Sequence, residues 1–153
     1  MWEGSDSDIS LTSNAQPALM GCGVATFRVL SKLTNKNINE LANYTCGHSL
    51  GEYTAMTVAG VFSLKKCATL LRLRGEAMQK AVPVGKGAMA ALIGKNFSNI
   101  NEIIVKVQDY GVCDIGNDNT DGQVVISGDL RAIEKAIELA KKNGVKRAVL
   151  LPV

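Results

Sequence analysis

The stretch Cys46-Gly47-His48-Ser49-Leu50-Gly51-Glu52-Tyr53-Thr54-Ala55 constrains this chain more than any other, because it sets a serine between two glycines in G-x-S-x-G spacing. That spacing belongs to a sharp turn from a strand into a helix, which holds the serine hydroxyl clear of the backbone as a nucleophile. The glycines permit close backbone approach. The amide of Leu50 is then aimed at an oxyanion formed on the attacked carbonyl, and the helix starting there adds its positive end. A bare five-residue match is as readily a glycine-rich turn without chemistry; the expected strand before it and helix after it favour the nucleophile. Such a serine needs a base, and His48 is the only histidine in the chain. A neighbour on so sharp a turn points away from a hydroxyl it would have to reach at about 2.6–3.2 Å. His48 is therefore read as structural, at most lining a cleft, and the base is not evident.

At 153 residues the chain can build one ordinary core or two small lobes. Its 46% hydrophobic and 20% charged residues suit a soluble globular protein, and a formal charge of +3 without long runs is too mild to argue for nucleic acid or an anionic membrane. Cys22, Cys46, Cys67 and Cys113 form no C-x-x-C pair, and one histidine cannot complete a Cys/His zinc site. No metal is expected, and the thiols are expected to be reduced and mostly buried in a cytoplasmic protein. The first ten residues lack the basic and apolar regions of a secretory signal, and no stretch has the length of a membrane span.

Periodicity predicts a helix over Gln16–Leu33 with Thr12, Ser13 and Asn14 as cap candidates and Pro17 in its first turn. An extended piece near Asn43–Cys46 should feed the serine turn, followed by helices over Leu50–Ala59 and, capped by Ser63, over Leu64–Ala81. After Pro83 the pattern changes. Ala88–Ile93 reads as a strand, Ile100 to Val107 as a helix capped by Ser98, and Val112–Ile115 and Val124–Ile126 as strands around a turn-rich Asn117–Gly122. Asp129 should cap a second amphipathic helix that Asn143-Gly144 ends, before a strand over Val145–Leu151. This β-α-β-β-α-β order is the ferredoxin-like unit. The expected class is α/β, with lobes over residues 1–83 and 84–153 joined by a hinge at Val84–Gly87.

Gly47-His48-Ser49-Leu50-Gly51-Glu52-Tyr53 resembles the nucleophile signature of the malonyl-CoA:acyl carrier protein transacylases and the related acyltransferase domains of fatty acid and polyketide synthases. Four further blocks resemble that family in order: Leu11–Leu19, Arg74–Gln79, Gly87–Ala91 and Gln123–Gly128. The resemblance implies a partial α/β-hydrolase-like lobe carrying the elbow, followed by the ferredoxin-like lobe. It implies a serine route: Ser49 takes the malonyl group of malonyl-CoA as an ester, and the phosphopantetheine thiol of acyl carrier protein collects it. No bound cofactor is implied; the substrates are malonyl-CoA and the phosphopantetheinylated carrier protein. Arg74 matches the arginine that holds the malonyl carboxylate, a task suited to a planar guanidinium with paired donors. Gln16 matches a glutamine that faces the cleft, although it could equally cap the helix. Asn117 and Asn119 match an Asn-x-Asn segment and are expected to be turn formers beside the cleft.

Departures from the pattern matter too. Nothing before Leu11 resembles the family's Gly-Gln-Gly-Ser-Gln loop, and the segment holding the family's catalytic histidine is not found after Leu151-Pro152-Val153. The resemblance thus implies a fragment with little transfer activity alone, or one completed by a second chain supplying the histidine. Two alternatives stay open: a non-catalytic fragment that binds acyl carrier protein, and a serine esterase sharing the elbow, against which Arg74 argues. Gly21-Cys22-Gly23 inside the first helix suggests relaxed constraint, since glycine there costs about 0.5–1 kcal/mol relative to alanine.

Overall fold

The structure is a computed structural model that describes residues 4–83, 85–94 and 100–151. The chain divides into two compact units, Met1–Ala81 and Val82–Val153. The expected Ser98 cap and the Val84 part of the hinge lie outside the described residues.

The first unit is helical: α1 (Asp6–Ser10), α2 (Thr12–Thr34), α3 (Ile38–Leu41), α4 (Leu50–Val58) and α5 (Leu64–Ala81). Helix α2 starts earlier than its periodicity suggested. Thr12, Ser13 and Asn14 fill its first turn instead of capping it, and the Leu11 carbonyl accepts the Asn14 and Ala15 amides at 2.8 Å. Pro17 consequently falls in the second turn, where its missing N–H leaves the Ser13 carbonyl without its helical donor. Arg72 Nη1 takes that place at 3.3 Å. The helix ends at Asn35 in the left-handed region, φ 53°, with its N–H on Ser31 O.

The extended piece expected at Asn43–Cys46 does not form a strand. A strand exists only through a ladder with a neighbour, and no described residue pairs with this segment. Ser63 does cap α5, accepting the Lys66 amide at 3.2 Å. Close helix approach comes from glycine. A Cβ on Gly75 would lie 2.5 Å from Ser13 Cα, and one on Gly23 would lie 2.9 Å from Thr54 Cγ2. Gly23 faces α4, where a Cβ would press on the Thr54 methyl, whereas a Cβ on Gly21 meets nothing within 4 Å. The buried centre is small: Met20, Val24, Cys67 and Leu71, edged by Leu50, Tyr53, Val58 and Phe62.

The second unit runs β1 (Gly87–Ile93), α6 (Ile100–Val107), a 3₁₀ turn (Gln108–Tyr110), β2 (Cys113–Thr120), β3 (Gln123–Asp129), α7 (Leu130–Lys142) and β4 (Arg147–Leu150). The four strands form one antiparallel sheet in the order β2-β3-β1-β4, with Ala90 opposite both Ile126 and Leu150. Ile103 and Val107 of α6 and Ile133, Ala136 and Ala140 of α7 bury their apolar stripes against Ala90, Leu92 and Ile126.

Three local expectations change here. Asn117–Thr120 belongs to β2, not to a turn; the reversal takes place at Asp121-Gly122, with Gly122 at φ 87°. Bulges at Gly116 and Asn119 absorb the irregular pattern that resembled a loop. Asp129 occupies the N-cap position of α7, yet its side chain caps nothing there and instead accepts the Val112 amide at 2.7 Å. The Asn143-Gly144 stop behaves as expected: Gly144 has φ 86°, and the Val145 amide reaches back to Ala140 O at 3.1 Å. Of the four free thiols only Cys67 and Cys113 are buried, while Cys22 and Cys46 are exposed. Burial, aided by the Asp114 carboxylate, pushes the Cys113 thiol up and keeps it protonated. No described helix is long and apolar enough to cross a membrane.

Candidate active site

Ser49 sits immediately before α4 with φ 56° and ψ −114°, a left-handed geometry that side chains rarely adopt. Holding it costs on the order of 1–3 kcal/mol, and such strain persists only where surrounding structure enforces it. Part of the enforcement is visible at Gly47: a Cβ there would lie 2.0 Å from Gly51 C and 2.4 Å from the Glu52 amide. The chain entering the turn therefore passes directly over the start of α4, which any larger residue at position 47 would prevent. The second glycine of the motif has no such role, for a Cβ on Gly51 meets nothing within 4 Å. The Gly51 amide bonds His48 O at 2.9 Å and the Glu52 amide bonds Ser49 O at 3.1 Å, closing the turn.

The Ser49 side chain makes no capping bond to α4 and is exposed. Arg74 Nη2 donates to its Oγ at 2.9 Å. Arg74 projects from α5, half-buried, and its Nη1 donates to Gln16 Oε1. Gln16, only 3% exposed, is held in turn: its Nε2 donates to Thr12 Oγ1 at 2.8 Å and to Met78 Sδ at 3.2 Å. Those two acceptors fix which end of the amide faces Arg74. The guanidinium also stands over the Tyr53 ring, with Cζ 5.8 Å from the ring centroid.

Four of the residues singled out from sequence thus meet in the first unit: Ser49, Leu50, Arg74 and Gln16. As the first residue of α4, Leu50 carries an N–H without an acceptor inside the helix. Gln16 lies in the second turn of α2 with its side chain on Arg74, so its helix-capping alternative falls away. His48 is exposed beside the turn. Asn117 and Asn119 lie in the other unit, on β2, Asn117 half-buried and Asn119 exposed. Sequence reasoning missed Tyr53, Thr12 and Met78. Helical spacing held a signal only for Thr12, four residues before Gln16; Tyr53 meets Arg74 and Met78 meets Gln16 across the chain, which no local pattern reveals.

Chemically, this is a strained serine turn at a helix start with a permanent cation at the hydroxyl. Arginine cannot take the serine proton, because it stays protonated and only donates. Each Nη bond engages one of two hydrogens, which leaves one N–H on each nitrogen. Among the described residues no group of three or more His, Cys, Asp or Glu side chains could hold a metal ion.

A serine in a strained turn into a helix, with a guanidinium on its hydroxyl, is an arrangement suited to acyl transfer, and the family comparisons point to the same class of protein. The chain belongs to the acyl transferase domain family, whose model matches residues 3–151. It is 44% identical over 154 aligned positions to the malonyl CoA-acyl carrier protein transacylase of Bacillus subtilis, an alignment covering 100% of this chain and 47% of that protein. Among solved structures it superimposes with TM-score 0.89 and 52% identity on the acyl-carrier-protein-S-malonyltransferase of Bartonella henselae, covering 99% of this chain and 48% of that one. A malonyl-transacylase solved in complex with its type II PKS acyl-carrier protein matches with TM-score 0.88 and 38% identity, over 99% of this chain and 48% of that one. The chain spans about half the length of the curated relatives it matches.

Proposed function

We propose that this chain carries the nucleophile and the acyl-selecting cation for moving a malonyl group from malonyl-CoA to acyl carrier protein. The observation that carries the proposal is the Arg74 Nη2 contact to Ser49 Oγ at 2.9 Å on a serine held at φ 56°. Ser49 Oγ attacks the thioester carbonyl, the Leu50 amide receives the oxyanion, and coenzyme A leaves as its thiol. The carrier protein's phosphopantetheine thiol then attacks the malonyl-serine ester by the reverse path. Arg74 grips the free carboxylate of the malonyl group, which an acetyl group lacks. The acyl carrier protein partner of the solved malonyl-transacylase complex supports the choice of acceptor.

In this reading the first unit is part of an α/β-hydrolase-like lobe and the second a ferredoxin-like lobe, the latter supported by the β2-β3-β1-β4 order. The protein works in the cytoplasm. The base comes from outside the groups described at Ser49, and a complementary chain bringing a histidine is one way to supply it. A missing base lowers the rate by about a hundred- to ten-thousand-fold. The test is acylation of the chain by malonyl-CoA, followed by mass spectrometry of the Ser49 peptide with and without imidazole as a surrogate base. We expect slow ester formation at Ser49, faster with imidazole and absent in Ser49→Ala. Labelling that is unchanged by Ser49→Ala refutes the proposal.

A further inference from the structure

The support beneath Arg74 differs in kind from its other contacts. Ser49 is the N-cap of α4 and Tyr53 lies one turn into that helix, and both meet Arg74. The ring side is fixed from below: Tyr53 packs on the cluster of Met20, Val24, Cys67 and Leu71. Its carbonyl accepts Thr57 Oγ1 at 2.8 Å and Cys67 Sγ at 3.5 Å, the second bond tying α4 to α5, the helix that bears Arg74. The guanidinium carbon stands 5.8 Å from the ring centroid, within the range of a cation–π contact.

We propose that Tyr53 is a positioning residue that sets the Arg74 guanidinium at a fixed distance from Ser49 without using any of its donors. A carboxylate in the same place would neutralise the cation and compete with the acyl carboxylate. A carbonyl or amide oxygen would occupy N–H groups. The face of an aromatic ring does neither, so the five donors remain for Gln16, Ser49 and the acyl group. Because Ser49 directly precedes the helix that carries Tyr53, a rigid shift of α4 moves nucleophile and platform together, and the spacing between reacting carbonyl and gripped carboxylate is kept. The inference rests on the assignment of Arg74 to the acyl carboxylate.

The experiment is a ring series at position 53 of the full chain: Tyr53→Phe, then phenylalanines of increasing fluorination, which drain the ring face of charge with little change of shape. Equilibrium binding of malonyl-CoA and acetyl-CoA is measured for each, beside the Arg74 side-chain ¹⁵N signals. We expect Tyr53→Phe to bind malonyl-CoA within about twofold of the unaltered chain, and the most fluorinated ring to bind it about three- to tenfold more weakly. Acetyl-CoA affinity stays constant across the series, and Arg74 side-chain motion rises with fluorination. Malonyl-CoA affinity and Arg74 signals that are both indifferent to fluorination overturn the proposal. Equal affinity of the unaltered chain for the two thioesters overturns the carboxylate assignment itself, a failure seen before position 53 is touched.

Discussion

The two units hold themselves together by different means. Among its described residues, the second buries a cluster of 13 between one face of its sheet and helices α6 and α7. Among the described residues, the hydrophobic cluster of the first has only four, Met20, Val24, Cys67 and Leu71, and Leu19, Val29, Leu30, Leu33 and Val61 are each about half or more exposed. Yet the candidate site residues lie in the first. Its precision comes from close backbone approach at Gly47 and Gly75 and from a polar chain running Thr12, Gln16, Arg74, Ser49. A site can therefore be locally rigid where the surrounding core is thin, because steric contacts at glycine and short side-chain bonds act over a few ångströms. Hydrophobic burial stabilises a whole unit in proportion to area, and it aims no single side chain.

Substitutions can break this contrast. Ile133→Ala, at a fully buried position of the second unit, should cost about 2–5 kcal/mol in denaturant unfolding. It should leave Ser49 acylation unaffected in the remaining folded protein. Gly75→Ala should cost about 1–3 kcal/mol through overpacking, since the new methyl would sit 2.5 Å from Ser13 Cα. Unlike Ile133→Ala it should also slow Ser49 acylation, because it pushes α2, and with it Gln16, away from Arg74. Equal effects of the two changes on acylation would erase the distinction between the units.

A gentler probe is pH. Lys135 and Lys142 lie 2.7 and 2.6 Å from Glu138 and pull its carboxyl down from 4.5 to about 2. A depressed acid stabilises the folded state above its ordinary value, and that contribution disappears as pH falls from 4.5 towards 2. Lys135 is raised by the same contact, so its share is present at neutral pH and is lost only as pH climbs above 10.5. Glu138→Gln should flatten the acid limb of the second unit's stability profile, an effect that salt diminishes because the groups are exposed. Smallest of all, Leu33→Gln on the 80% exposed position of α2 should change stability by no more than about 0.5 kcal/mol.

Much of this was legible in the sequence, for reasons that differ by residue. The helix over Leu64–Ala81 has a serine cap and a proline stop, signals local enough to read in one dimension. The helices facing the sheet of the second unit repeat isoleucine and alanine at helical spacing, which gives their buried faces directly. Ser49 and Arg74 were visible through short ordered motifs. What failed depended on partners distant in the chain. Asn117–Thr120 reads as a turn by residue type, yet pairing with β3 draws it into the sheet. Asp129 reads as a cap, yet the amide of Val112 claims its carboxylate. The extended piece before the elbow needs a neighbouring strand that composition cannot reveal. Tyr53 was hidden for another reason: within an elbow motif an aromatic looks like core packing, and only the 5.8 Å approach of Arg74 shows a second use.

Selection by Arg74 of the acyl group delivered to Ser49 is read from the ratio of malonyl to acetyl ester formed at Ser49 when both thioesters compete. Charge-assisted hydrogen bonds of about 1.5–3 kcal/mol should favour malonyl by roughly ten- to a hundred-fold in the unaltered chain, and Arg74→Ala should bring the ratio near one. A ratio that Arg74→Ala leaves unchanged would contradict such selection.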